Sequence, residues 1–169
     1  THNPSTGVYD FEAEEVTGSI QPEGAYHGVT RLIDRRTGRQ VIHPKYSALN
    51  LFRLFAAHQG MGQPRLMART TGVFPNAVEV RWEATEAHQG ELIARYEVVE
   101  PNGVDLTVTL RCAGTYAGYE LFVSNYFDPA LDFDDLVQAL ELGDADSGAD
   151  LRHAVVEADA VVALVVRVL

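Results

Sequence analysis

Six histidines, His2, His27, His43, His58, His88 and His153, and one cysteine, Cys112, are the side chains best suited to ligate a metal or carry a proton. No two histidines stand at i, i+2 or i, i+4, so a metal site would need long-range assembly, and one thiolate rules out the usual cysteine-based zinc sites. Asp144-Ala-Asp146-Ser-Gly148-Ala-Asp150 has the look of a calcium loop but lacks the third acidic or amide ligand before its glycine and the closing glutamate, and reads as a solvated acidic loop. The chain has no P-loop, no G-x-G-x-x-G after a strand, no H-E-x-x-H and no G-x-S-x-G. Neither a metal nor a cofactor is expected. Cys112 falls on the apolar side of its run, where a buried thiol is an inert core filler.

A second group of polar residues sits inside aromatic or apolar runs: His27 after Tyr26, His43 before Pro44, Arg53 between Phe52 and Leu54, Arg65 and Arg69 after Met61-Gly-Gln-Pro64, and Asn125 beside Tyr126. Burial of any of these demands a partner. Sugars are bound by such surfaces, with planar rings against apolar C–H patches and Arg, Asn or His on the hydroxyls. His27, His43, Arg53, Arg65, Asn125 and Tyr126 are therefore the candidate binding residues. The competing reading is structural: an arginine in an apolar run often snorkels or satisfies a core carboxylate, and Tyr119, Tyr126 and Phe127 suit a core. Acid–base catalysis on a sugar needs two titratable groups within about 2.6–3.2 Å of the protons they move. His27 or His43 would supply one. Glu79, Glu83 and Glu97 alternate onto polar faces, which leaves Glu120, itself readable as a structural carboxylate paired with Arg53 or Arg95.

These side chains must be placed by strands. In 77–84, Val78, Val80, Trp82 and Ala84 alternate with Glu79, Arg81 and Glu83, the period-two pattern of a half-buried strand. Leu92, Ala94, Tyr96 and Val98 repeat it, and Val104, Leu106, Val108, Leu110 and Cys112 follow after a turn at Asn102-Gly103. The run 119–127 is apolar on both sides, with Leu121 and Val123 opposite Phe122 and Tyr126, which predicts burial on both faces and hence a second layer. Residues 28–34 and 39–43 flank a turn at 35–38 and predict a hairpin. Ser47 to His58 reads as a helix with Ser47 as N-cap and Gly60 as terminator, although its aromatic content also permits a strand. A second short helix is expected over Asp134 to Leu142, and Val155 to Leu169 reads as a buried strand if paired and an aggregation-prone segment if not. The predicted class is all-β: an antiparallel β-sandwich with one or two short helices.

The 169 residues, 46% hydrophobic and 22% charged, suit one globular domain with a sizeable core. A formal net charge of −11 argues against nucleic acid and anionic membrane as partners, since both attract clustered Lys and Arg. The apolar run from Ala160 to Val166 is far shorter than the roughly 20 residues of a transmembrane helix. With Thr1 first and no initiator Met, the natural start is expected upstream. A lone cysteine fits either side of a membrane, so the compartment stays open.

Composition changes near Phe133. Residues 128–169 carry 10 acids against Arg152 and Arg167, whereas 1–127 carry 14 acids against 11 bases, and no aromatic follows Phe133. The chain divides into a β-sandwich domain at 1–133 and an acidic, Ala/Val-rich tail at 134–169. The bias of 12 arginines to one lysine suggests a GC-rich gene. The tail therefore admits two readings: a genuine helix plus strand, or a frameshifted end on a truncated domain.

The run 26–33 (Tyr-His-Gly-Val-Thr-Arg-Leu-Ile), the block 50–55 (Asn-Leu-Phe-Arg-Leu-Phe), Met61-Gly62, the Val78-to-Trp82 strand, the 102–110 hairpin and 119–127 (Tyr-Glu-Leu-Phe-Val-Ser-Asn-Tyr-Phe) together resemble the first half of a galactose-mutarotase-like β-supersandwich, over about residues 20–129. The resemblance implies a large antiparallel sandwich whose concave sheet meets carbohydrate. Aldose epimerases of that family use a histidine acid and a glutamate base, but their N-terminal Gly-Arg and Asn-Arg segment is absent here and their catalytic glutamate lies in a second half this chain does not contain. The expected function is a carbohydrate-binding domain without a complete catalytic set. The alternatives are an aldose 1-epimerase-like isomerase needing residues from outside this chain, or a structural domain that pairs with a second copy or another chain through an exposed sheet face.

Overall fold

The computed structural model of the chain describes residues 1–3 and 6–131, together with the strands at 140–142, 154–156 and 161–168. The strands are β1 (His2–Asn3), β2 (Val8–Glu12), β3 (Val16–Gln21), β4 (Gly28–Asp34), β5 (Asn50–Ala56), β6 (Gln59–Gly62), β7 (Thr70–Val73), β8 (Ala77–Trp82), β9 (Gly90–Val99), β10 (Gly103–Cys112), β11 (Tyr116–Ser124), β12 (Leu140–Leu142), β13 (Ala154–Val156) and β14 (Val161–Val168). They form three antiparallel sheets in the orders β1-β2-β3-β4, β12-β14-β10-β9-β8-β7 and β13-β11-β5-β6. The protein is all-β and sandwich-like. Among the described residues the only helical element is a 3-10 turn at Pro64–Leu66, and no helix is long and apolar enough to cross a membrane.

The alternating runs become the central six-stranded sheet. Val78, Val80 and Trp82 of β8, Leu92, Ala94 and Tyr96 of β9, and Val104, Leu106, Val108, Leu110 and Cys112 of β10 all point into one core. Their polar neighbours form an ion-pair ladder on the other face, where Glu91 joins Arg81 to Arg111 and Arg95 meets Glu97. β10 pairs with β9 from Gly103↔Val99 to Cys112↔Gly90, and with β14 from Val104↔Val168 to Arg111↔Val161. The β-branched run at the chain's end is thus a paired strand, with Val168 buried. From the other two sheets, Ile20, Val29, Leu32, Leu51, Leu54 and Tyr119 complete the core.

Two expectations are corrected. The stretch from Ser47 to His58 forms β5, not a helix, because it pairs with β11 from Glu120↔Phe55 to Ser124↔Asn50. Its φ values explain why helical spacing failed: Leu49 (φ 56), Ala57 (φ 48) and His58 (φ 61) are left-handed. Ala57 and His58 form the two-residue turn between Ala56 and Gln59, where a tight hairpin needs positive φ at both positions. Secondly, β11 is not buried on both faces. Tyr119 faces the core, but Phe122 on the opposite side is 51% exposed. The predicted helix from Asp134 lies outside the described residues except for Leu140–Leu142, which is strand β12, and the acidic loop at 144–150 lies wholly outside them. The predicted hairpin at 28–43 closes through the Gly38 amide, which donates to the Asp34 carbonyl, and through the Ile33↔Gln40 bridge.

Candidate functional site

Three short segments converge at one end of the β5–β11 pair: the loop at 25–28, the approach to β5 at 46–50 and the exit from β11 at 124–127. Gly28 (φ 109) makes this possible, because any Cβ there would run into the Ala48 carbonyl oxygen. The Ser47 hydroxyl donates to the His27 carbonyl at 2.9 Å, and Asn50 Nδ2 donates to the Ala25 carbonyl at 3.2 Å. Leu49 is held in its left-handed conformation from both sides. Its amide donates to Asn125 Oδ1 at 2.7 Å, and its carbonyl accepts from the Tyr96 hydroxyl at 3.0 Å.

Toward the core, His27 is fully buried, with its ring 5.3 Å from that of Trp82, and Nε2 accepts the Leu51 amide at 3.2 Å. Burial, and then the neighbouring Arg69 charge, lower its pKa to about 3, against a small upward pull from the Gly24 carbonyl. His27 is a neutral packing residue. The Arg69 side chain is only 6% exposed; it donates to the carbonyls of Arg65 (2.7 Å) and Pro22 (3.4 Å) and lies 3.8 Å from Glu23. Trp82 Nε1 donates to the Pro64 carbonyl at 2.8 Å. Beyond the far end of β8, His88 Nε2 meets the Tyr119 hydroxyl at 3.1 Å, and burial lowers its pKa. Burial also raises that of Cys112, the inert thiol expected of a core filler.

On the outer face of β5 and β11 the same residue types meet solvent. Cross-strand partners share a face, so Glu120 with Phe55 and Phe122 with Arg53 form a strip, which the buried pair of Ser124 and Asn50 continues beneath the surface. Phe52, the extra residue where the register shifts, packs edge-on against Phe122 at 5.7 Å. The Arg65 guanidinium lies 3.9 Å from the Phe52 ring centre, and that of Arg53 is 5.1 Å from the Phe55 ring. Just beyond Ser124 stands an aromatic cluster. Tyr46 is 4.9 Å from both Tyr26 and Tyr126, and the His43 ring is 4.6 Å from Tyr46. Tyr26 is 36% exposed, and His43, Tyr46 and Tyr126 are half-buried. Between the phenylalanines and the tyrosines, Asn50 Oδ1 and Ser124 Oγ are buried without a hydrogen-bond partner. From Glu120 to Tyr126 the strip is about 20 Å long, at the rise of an extended chain.

Of the six residues expected to bind, four reach this strip: Arg53 and Arg65 at its phenylalanine end, His43 and Tyr126 at its tyrosine end. His27 lies in the core, and Asn125 spends its side-chain oxygen on the Leu49 amide. Glu120 is paired with neither Arg53 nor Arg95; its Oε1 lies 3.1 Å from His58 Nδ1. Sequence reasoning passed over Phe52, Phe122, Tyr26, Tyr46, Asn50 and Ser124 as binding candidates. The alternation of Phe122 with Leu121 and Val123 carried a signal for one of them, had the second face been read as uncovered. Comparison of the chain with models of known protein families, with curated proteins and with solved structures finds no match.

Proposed function

We propose that this chain is a carbohydrate-binding domain whose ligand lies along the outer strip of β5 and β11. One observation carries the reading: Tyr26, Tyr46 and Tyr126 cluster with His43 at partly exposed positions, directly after two buried polar atoms that lack a partner. Aromatic faces suit the apolar C–H surface of a pyranose. A buried acceptor without a donor costs about 1–3 kcal/mol, and Asn50 Oδ1 and Ser124 Oγ carry that cost beneath the tyrosines, sealed from solvent. The resemblance to the first half of a galactose-mutarotase-like supersandwich points the same way. An epimerase would draw its acid from His43 rather than from His27, which is sealed in the core.

The test is calorimetric titration with a panel of neutral and acidic trisaccharides, with Tyr126→Ala as the control. Saturable binding that weakens about tenfold in Tyr126→Ala, the loss of roughly 1.4 kcal/mol of stacking, supports the reading. Absence of saturable binding across the panel, or equal affinity in Tyr126→Ala, overturns it.

A further inference from the structure

We infer that the strip selects a saccharide bearing a carboxylate, a uronate, with the guanidiniums of Arg53 and Arg65 as its anion site; this rests on the carbohydrate reading above. The chain has 24 acidic residues against 13 Lys and Arg, and six of the ten arginines in residues 6–131 are matched to acids: Arg35 with Glu12, Arg36 with Asp34, Arg69 with Glu23, Arg81 with Glu79 and Glu91, Arg95 with Glu97, and Arg111 with Glu91. Arg53 and Arg65 differ. Among the described residues neither has a carboxylate within ion-pair distance, although an acid-rich surface offers many.

Both are instead held against aromatic rings. Arg65 stacks on Phe52, while its Nε and Nη2 donate to Gln63 Oε1 at 3.3 and 3.1 Å. Arg53 lies over Phe55 and shares its face with Phe122, its cross-strand partner. A guanidinium stacked by its plane can still offer an N–H edge to the two oxygens of a carboxylate; in Arg65, where Gln63 takes the Nε/Nη2 edge, the end-on Nη1/Nη2 edge is the one left. Ring stacking also lowers the entropy lost when the arginine captures its ligand. The carboxylate on the same face, Glu120, is engaged by His58. What separates a uronate from an inorganic anion is the rest of the strip: Phe52 and Phe122 present apolar surface beside the charges, and the Tyr26, Tyr46 and Tyr126 cluster follows them. A free anion would use none of these.

Titration with trigalacturonate, with its fully methyl-esterified counterpart and with sodium sulfate tests the inference. The expected result is affinity for the acid about tenfold or more above that for the ester, falling as salt rises, with Arg53→Gln and Arg65→Gln each weakening the acid about tenfold more than they weaken the ester. Circular dichroism of both variants checks that they fold. Equal affinity for acid and ester overturns the anion site and leaves the carbohydrate reading standing. No binding of either sugar overturns both. Sulfate that competes with trigalacturonate at equal concentration overturns selection of a saccharide.

Discussion

The two faces of β5 and the strands beside it use the same side-chain types to opposite ends. Inside, His27, Arg69 and Trp82 form a packed set in which Arg69 binds two carbonyls and Trp82 a third. Outside, His43, Arg65 and Phe122 keep solvent contact, and the Arg65 cation rests on a ring rather than on an acid. Environment, not residue type, divides them. Desolvation holds His27 neutral and lowers the pKa of Arg69 against the opposing pull of Glu23. Inside, Arg69 and Trp82 spend their N–H groups on backbone carbonyls, whereas outside, Arg65 and Phe122 remain in contact with solvent.

Aromatic truncation should separate the faces most strongly. Trp82→Ala removes a fully buried ring and one of the two donors to the Pro64 carbonyl, the other being the Met67 amide, so unfolding in urea should show a loss of about 3–5 kcal/mol. A loss under 1 kcal/mol would mean that the inner set is not core. The next effect is on pH. His27 stays neutral in the folded chain down to about pH 3, whereas in the unfolded chain it protonates near the ordinary value of 6.5. Between these values the unfolded state holds the extra proton, so stability is intact above about 6.5 and falls as pH drops, by about 1.4 kcal/mol per unit at most. His88, with its pKa also lowered, adds in the same sense. His27→Gln, which retains an acceptor for the Leu51 amide, should flatten the acid limb measured by denaturation at stepped pH. Parallel profiles for the two proteins would show that His27 is not buried neutral. The smallest effect on stability is expected from Phe122→Ser, within about 1 kcal/mol because the ring is half exposed. The same change should weaken saccharide binding in calorimetry. A large stability loss would place Phe122 in a core and remove the contrast between the faces.

Strand alternation made much of this legible beforehand. The central sheet was readable because Val78, Val80 and Trp82 alternate with Glu79 and Arg81, and a one-residue slip would turn every one of them to the wrong side. β5 was harder. Leu51, Leu54, Phe55 and His58 fit helical spacing, and only pairing with β11 and the positive φ at Leu49, Ala57 and His58 decide for a strand. The residues of the proposed site were half legible for a related reason. Arg53, Arg65, His43 and Tyr126 stand out as polar or aromatic groups in apolar runs, but so do His27 and Asn125, and the pattern alone cannot say which side a run presents to water.

The amino-acid sequence by itself determined the all-β class, the meander from β8 to β10 and the absence of the common nucleotide-, zinc- and serine-hydrolase motifs, because period-two patterning and motif spacing are local properties of the chain. Only the tertiary structure decided that His27 packs on Trp82, that Glu120 meets His58 rather than an arginine, and that Arg53 and Arg65 share a face with Phe52 and Phe122. Those facts depend on segments tens of residues apart arriving at one place, and burial, which sets both charge state and access, is a property of that arrival.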